Sequence, residues 1–242
     1  MKERLDKILT ELGLAESRAR ALSLIMAGQV TVNNRVITKA GTPVNTDSAI
    51  VVKHGCPYVS RAGYKLEAAV DAFEIDLKDK VAIDIGASTG GFTDLMLQRG
   101  AARVYAVDVG HSQLHYRLRN NPRVICLEEV NARAIDPSLI PESCDIAVFD
   151  VSFISLRLVI PPVLNILKRP SEIVALIKPQ FEAGKGMTKK GVIKDETTII
   201  SVVENIREFL YSIELIPLGV IPSPVKGAKG NQEYLIYCTF GK

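Results

Sequence analysis

One run constrains this chain more than any other: Asp84-Ile85-Gly86-Ala87-Ser88-Thr89-Gly90-Gly91-Phe92-Thr93-Asp94. It follows an apolar segment, Val81-Ala82-Ile83, and opens an apolar-periodic one, Phe92 to Leu97. That order predicts strand, glycine turn and helix. Glycine lets a ligand approach the backbone at the turn, and a helix N-terminus offers unpaired N–H groups. The spacing is G-x-x-x-G-G, not the G-x-G-x-x-G of dinucleotide folds. A second predicted strand, 103–107, ends at Asp108, 22 residues after Gly86. An acid there accepts hydrogen bonds from ribose hydroxyls. Asp84, the turn residues Gly86, Ala87, Ser88, Gly90, Gly91 and Phe92, and Asp108 together predict a site for S-adenosylmethionine. An ordinary strand-to-helix turn explains the glycines but not the two strand-end acids.

Around this run the chain alternates. Strands are expected at 81–85, 103–108, 124–127, 145–149, 173–177, 215–221 and 234–240, and helices at 63–73, 92–99, 112–119, 155–168 and 197–212. Such alternation predicts an α/β fold, a mostly parallel Rossmann-like sheet with helices on both faces. The last two strands have no helix between them, which fits an antiparallel pair at one end of the sheet. Ligands in such sheets bind at the C-terminal strand ends, where Asp84, Asp108 and Asp150 fall.

The first quarter reads differently. Leu5, Ile8, Leu9 and Leu12 form a helical stripe closed by Gly13. Ser17 is the expected N-cap of a second helix, Arg18 to Ala27, closed by Gly28. Val30-Thr31-Val32, the Asn33-Asn34 turn and Val36-Ile37 predict a hairpin, with 50–52 as a further strand. We therefore expect a small α+β domain over 1–60, with a linker at about 54–60, before an α/β domain over 61–242. Residues 1–60 carry eight Lys and Arg against five Asp and Glu, whereas 61–242 carry 22 of each. All the excess positive charge lies in the first domain, which suits contact with a polyanion.

Four charged residues stand out. Asp150 closes the strand Ile146 to Phe149, and Lys178 closes the apolar strand Ile173 to Ile177. Lys65 lies on the helix before the glycine turn, and Glu233 opens the last strand. A surface charge or salt bridge explains any one of them. Two at the ends of consecutive parallel strands point instead to a site, in which a lysine can serve as general base toward a hydroxyl. Phe153 and Phe181 each follow one of these strand-end residues, either to stack on a base or the cofactor or to plug the core. Asn131 follows the strand at 124–127, near where an adenine sits in such folds; a capping Asn is the alternative. The stretch from Gly184 to Gly191 is basic and glycine-rich, so Lys185 and Lys189 are candidate phosphate contacts, or simply solvated.

Several classes are disfavoured. No apolar run reaches the 18 or so residues of a membrane span, and the N-terminus lacks the apolar core of a signal peptide. The four cysteines form no CxxC or Cys/His cluster, as expected of reduced thiols in a cytoplasmic protein. His111 and His115 stand at i, i+4 without a third ligand, so no metal is expected.

The first domain resembles the S4 RNA-binding family through Arg4-Leu5-Asp6, Gly13-Leu14, Ser17-Arg18 and Gly28-Gln29-Val30-Thr31-Val32-Asn33. That resemblance implies RNA contacts at Arg4, Arg18, Arg20, Arg35 and Lys39. The rest resembles the FtsJ-like 2′-O-methyltransferases, whose Lys-Asp-Lys-Glu set falls on Lys65, Asp150, Lys178 and Glu233. Both parts in this order resemble the TlyA, or haemolysin-A-like, rRNA methyltransferases, through SRAGYKLEAA, DIGASTGGFTD, DVSFISL, KPQFEAGKG and GNQEYL. The resemblance implies methyl transfer from S-adenosylmethionine to a cytidine 2′-hydroxyl in ribosomal RNA, with free ribosomal RNA or a ribosomal subunit as the partner. The chain resembles the shorter form of that family, which favours small-subunit RNA. Two other classes compete: a membrane-active haemolysin, and a non-catalytic RNA-binding protein on a methyltransferase fold. Nothing in the composition supports the first, and the intact charged set speaks against the second.

Overall fold

The computed structural model describes residues 2–52, 56–184, 191–227 and 229–241. The chain divides into two compact units, Met1–Pro57 and Tyr58–Lys242.

The first unit runs β1 (Lys2–Arg4), α1 (Leu5–Glu11), α2 (Arg18–Met26), β2 (Val30–Val32), β3 (Arg35–Ile37), β4 (Pro43–Asn45) and β5 (Ile50–Val52). Ser17 caps α2 by accepting the Arg20 N–H. Asn33 and Asn34 both take positive φ, as a tight hairpin turn between β2 and β3 requires. β2 lies between β3 and β5, antiparallel to both. Leu5, Ile8 and Leu9 of α1 pack with Ala21, Leu24 and Ile25 of α2 over Val30 and Val32. The β1–β4 ladder was not expected, because three polar-flanked residues carry no periodic signal.

The second unit contains α3 (Gly63–Ala72), β6 (Val81–Ile85), α4 (Gly91–Gln98), β7 (Arg103–Val107), α5 (Tyr116–Arg119), β8 (Val124–Leu127), β9 (Cys144–Phe149), α6 (Leu156–Leu164), β10 (Leu167–Ile177), α7 (Pro179–Glu182), α8 (Glu196–Ser212), β11 (Leu215–Pro222) and β12 (Tyr234–Phe240). Its seven-stranded sheet has the order β11-β12-β10-β9-β6-β7-β8. The strands from β10 to β8 run parallel, and β12 is antiparallel to both β10 and β11.

Side chains alternate strictly through the sheet. Ile83, Ile85, Ala147, Phe149, Ile173 and Ala175 face α6 and α8, while Ala82, Ile146, Val148, Val174 and Leu176 face α3 and α4. The chain proceeds outward from β6 to β7 and β8, then returns to β9 on the other side of β6. That reversal opens a crevice beyond the ends of β6 and β9, where such folds bind ligands.

Two elements differ from the sequence reading. The helix expected over 112–119 is only Tyr116–Arg119. The Glu128 carboxylate takes the N–H groups of Ser112, Gln113 and Leu114 and holds them as a loop. His115 is the N-cap of α5, so His111 and His115 share no helix face. The helix expected to reach 168 stops at Leu164, and β10 starts at Leu167, with a register shift before Glu172. Lys168-Arg169-Pro170-Ser171 extends this strand without any apolar alternation to announce it.

Candidate active site

The glycine turn is shaped by its neighbours as much as by any ligand. Gly86 has φ +84, and a Cβ there would stand 2.9 Å from the Asp150 carbonyl oxygen. Only glycine lets the ends of β6 and β9 come this close. Asp150 then lies beside the turn, its N–H bonded to the Ile85 carbonyl at 3.0 Å.

Four charged side chains from four elements meet here. Lys65 Nζ donates to Glu233 Oε2 at 2.7 Å and stands 3.5 Å from Asp150 Oδ2. Lys178 Nζ stands 2.6 Å from Asp150 Oδ1 and donates to Ser152 Oγ at 2.9 Å. The result is a chain of alternating charge, Glu233–Lys65–Asp150–Lys178, ending on a hydroxyl. Lys65, Lys178 and Glu233 are all buried. Buried charges persist when each has an opposite partner and hydrogen bonds, as here.

Two cavities flank this chain. One, of about 710 Å³, is walled by Lys65, Lys178 and Glu233 together with Asp84, Ala87 and Phe92. The other, of about 910 Å³, is walled by Asp108, Gly110, Gln113, Asn131 and Leu158. They share Gly86, Ser88, Asp150, Ser152, Phe153 and Phe181. Phe153 is 90% exposed and takes φ +64, and its ring centroid lies 5.0 Å from that of Phe181. Neither ring is a core plug. A bulky residue at positive φ is strained, and its surroundings must hold it there.

The acids of the glycine turn differ in their surroundings. Asp84 Oδ2 accepts the N–H of Thr93 at 3.0 Å and its hydroxyl at 2.6 Å. Its Oδ1 is buried and has no partner among the described residues. A buried carboxylate oxygen without a donor fits a ligand that brings a cationic group, as S-adenosylmethionine does with its sulfonium and ammonium. Asp108 accepts the N–H groups of Ser88 and Gly110, each at 2.7 Å, which leaves lone pairs toward the second cavity. Asn131 caps the turn at 132–134 by accepting the Arg133 N–H, and it also walls that cavity. This set of acceptors therefore fits the cofactor predicted from sequence.

Other candidates fall elsewhere. Gly90 and Gly91 wall neither cavity. A Cβ on Gly90 would meet the side chains of Leu114 and Leu118, and one on Gly91 would meet Ser60, Ala62 and Gly63. Lys185 and Lys189 lie outside the described residues, as does part of the linker expected at 54–60. In the first unit Arg4 and Arg18 both pair with Asp6 at 3.0 Å, and both are exposed, as are Arg20, Arg35 and Lys39. Sequence reasoning assigned nothing to Thr93 or Ser152. A hydroxyl nine residues after Asp84 carries no signal without the fold.

Residues 58–240 match the FtsJ-like methyltransferase family. The chain belongs to that family. Residues 3–50 match the S4 domain. Hemolysin A of Brachyspira hyodysenteriae is 43% identical over 237 residues, covering 97% of this chain and 98% of its own. The 16S/23S rRNA (cytidine-2′-O)-methyltransferase TlyA of Mycobacterium tuberculosis is 40% identical over 243 residues, 98% of this chain and 89% of its own. A solved structure from Streptococcus thermophilus, provisionally named a hemolysin, matches with TM-score 0.76 at 40% identity, covering 99% of this chain and 88% of that one. The FtsJ-like chain thus groups with the TlyA and Hemolysin A proteins over nearly its whole length.

Proposed function

We propose that the second unit transfers a methyl group from S-adenosylmethionine to the 2′-hydroxyl of a cytidine in ribosomal RNA, and that the first unit contacts the RNA. One observation carries this reading. Lys178 walls the first cavity and is held by Asp150 and Ser152, which wall both, so a ligand in the second cavity would lie one residue away from the amine that faces the first. When bound, the cofactor supplies a methyl group on a positively charged sulfur, open to attack by an oxygen nucleophile. Asp84 and Asp108 would hold it, by charge and by bonds to ribose hydroxyls. Lys178 takes the proton of the 2′-hydroxyl as a free amine, its own extra proton having first gone to solvent, or as an ammonium it stabilises the alkoxide while solvent takes that proton, as the 2′-oxygen attacks the methyl carbon. Asp150 orients Lys178 with Oδ1 and faces Lys65 with Oδ2. Glu233 holds Lys65, which positions the ribose. Phe153 and Phe181 offer a stacking surface for a base turned out of its helix. Ribosomal RNA, free or in a subunit, is the proposed partner, and the cytoplasm the proposed compartment. Of the two ribosomal RNAs named for the M. tuberculosis relative, we favour the small-subunit RNA.

The test is Lys178→Ala. Single-turnover methyl transfer to ribosomal subunits should fall by about 10²- to 10⁴-fold, while S-adenosylhomocysteine still binds. A variant within about threefold of wild type removes Lys178 from the mechanism. Mapping the methylated nucleotide on isolated subunits tests the choice of RNA. RNA binding without transfer by the wild type would favour a non-catalytic module, and erythrocyte lysis without transfer a haemolysin.

A further inference from the structure

Three ties join the loop after β9 to the segment after β10. Lys178 reaches Asp150 and Ser152, and Phe181 lies against Phe153. The third is Glu182, at the end of α7. Its Oε2 accepts the Ser155 hydroxyl at 2.5 Å, and its Oε1 accepts the Leu156 N–H at 2.8 Å. Ser155 already caps α6 by accepting the Arg157 N–H. The first turn of α6 therefore has its own local cap and a second anchor drawn from another strand's end. Glu182 walls neither cavity of the site. Burial raises the pKa of its carboxyl, against the bonds from Ser155 and Leu156.

The loop at 150–155 needs two anchors. It carries an exposed aromatic at φ +64, which packing of that side chain cannot enforce. Strained backbone persists only where the surroundings over-determine it. One anchor is Asp150, bonded to the Ile85 carbonyl and to Lys178. The other is Glu182 on Ser155 and Leu156. We infer that Glu182 is a positioning residue for the methyl transfer: it clamps the start of α6 onto α7, sets the 150–155 loop against Lys178 and Phe181, and so fixes the reactive arrangement. This inference rests on the methyl-transfer reading for its consequence, but not for its geometry.

The test uses the full chain with two variants and two readouts. Glu182→Ala removes both arms of the clamp. Glu182→Gln keeps an acceptor for Leu156 and offers an N–H to the Ser155 oxygen. Hydrogen exchange at the Leu156 amide should accelerate in Glu182→Ala and not in Glu182→Gln. Single-turnover transfer to ribosomal RNA should fall about 10- to 100-fold in Glu182→Ala, as for a small misplacement of reacting groups. S-adenosylhomocysteine affinity should stay within about twofold, and Glu182→Gln should recover the rate to within about threefold. Where Glu182→Ala does not fold, Ser155→Ala takes its place, removing one arm with a smaller slowing of the same kind. Unchanged exchange or an unchanged rate in Glu182→Ala overturns the inference, and so does a Glu182→Gln variant as slow as Glu182→Ala. Where the wild type transfers no methyl group, the function reading fails, and the exchange measurement still decides the clamp.

Discussion

Asp84 has no access to solvent, and burial pushes its carboxyl up to about 7, with Asp150 and Asp108 adding to the rise and bonds from Thr93 opposing it. The folded unit thus keeps a proton that the unfolded chain releases between about pH 4 and pH 7. Stability should fall as pH rises through that window, by on the order of a few kcal/mol. A cationic ligand group beside Oδ1 favours the ionised form. Affinity for S-adenosylmethionine should therefore weaken below about pH 7, approaching tenfold per pH unit. Asp84→Asn should flatten both dependences. Calorimetric unfolding and ligand titrations across this range check it; an unchanged slope in the variant excludes Asp84 as the titrating group. Gly90 makes a different prediction. With φ +94, and with Leu118 of α5 and Leu114 just before it both within 2.8 Å of where a Cβ would stand, Gly90→Val should overpack the contact of α4 with α5 and the loop before it. It should cost about 1 to 3 kcal/mol in thermal unfolding, where a purely ligand-facing glycine would lose affinity alone.

At the scale of elements, Glu128 decides the form of the segment before α5. It binds three backbone N–H groups and the Arg119 guanidinium, which holds its carboxyl down to about 2. Its contribution is present above about pH 4.5 and is lost as pH falls through about 2. Glu128→Ala should cost about 2 kcal/mol, as for lost bonds to a charged group, and should speed hydrogen exchange at Ser112 to Leu114. Because Gly110 and Gln113 wall the second cavity, cofactor affinity should drop as well; equal exchange in variant and wild type would show the loop to be held otherwise. This segment was misread from sequence because its organiser lies 14 to 16 residues away. The same limit applied elsewhere. β6, the glycine turn, α4, the apolar half of β10 and α8 were legible because each carries its own period. The polar start of β10 and the short β1 and β4 carry none. In the site, Asp150 and Lys178 were legible as charges closing buried strands. The Glu182 clamp was not, since the tie from 182 to 155 exists only once β9 and β10 lie side by side.

For the whole molecule, charge is divided unevenly: residues 1–60 hold the entire net +3, eight Lys and Arg against five Asp and Glu. Part of it is already paired within the unit. Arg4 and Arg18 both pair with the buried Asp6, with the Arg4 bond first in holding its carboxyl down to about 2. Arg20, Arg35 and Lys39 are exposed and should carry most of the electrostatic attraction to RNA. Each phosphate contact releases counterions, so each one lost should reduce the slope of log affinity against log salt by about 0.7 to 0.9. Replacing Arg20, Arg35 and Lys39 together by alanine in the full chain should flatten that slope by about 2 to 3. Affinity for S-adenosylhomocysteine should not change, because the cofactor candidates all lie in the second unit. Replacing Arg4 and Arg18 should flatten the slope less and lower stability more, because Asp6 then loses its partners. A salt series of ribosomal RNA binding for these variants, with calorimetry for the cofactor, checks both. Equal slopes in wild type and the triple variant would mean that the first unit is not the docking element.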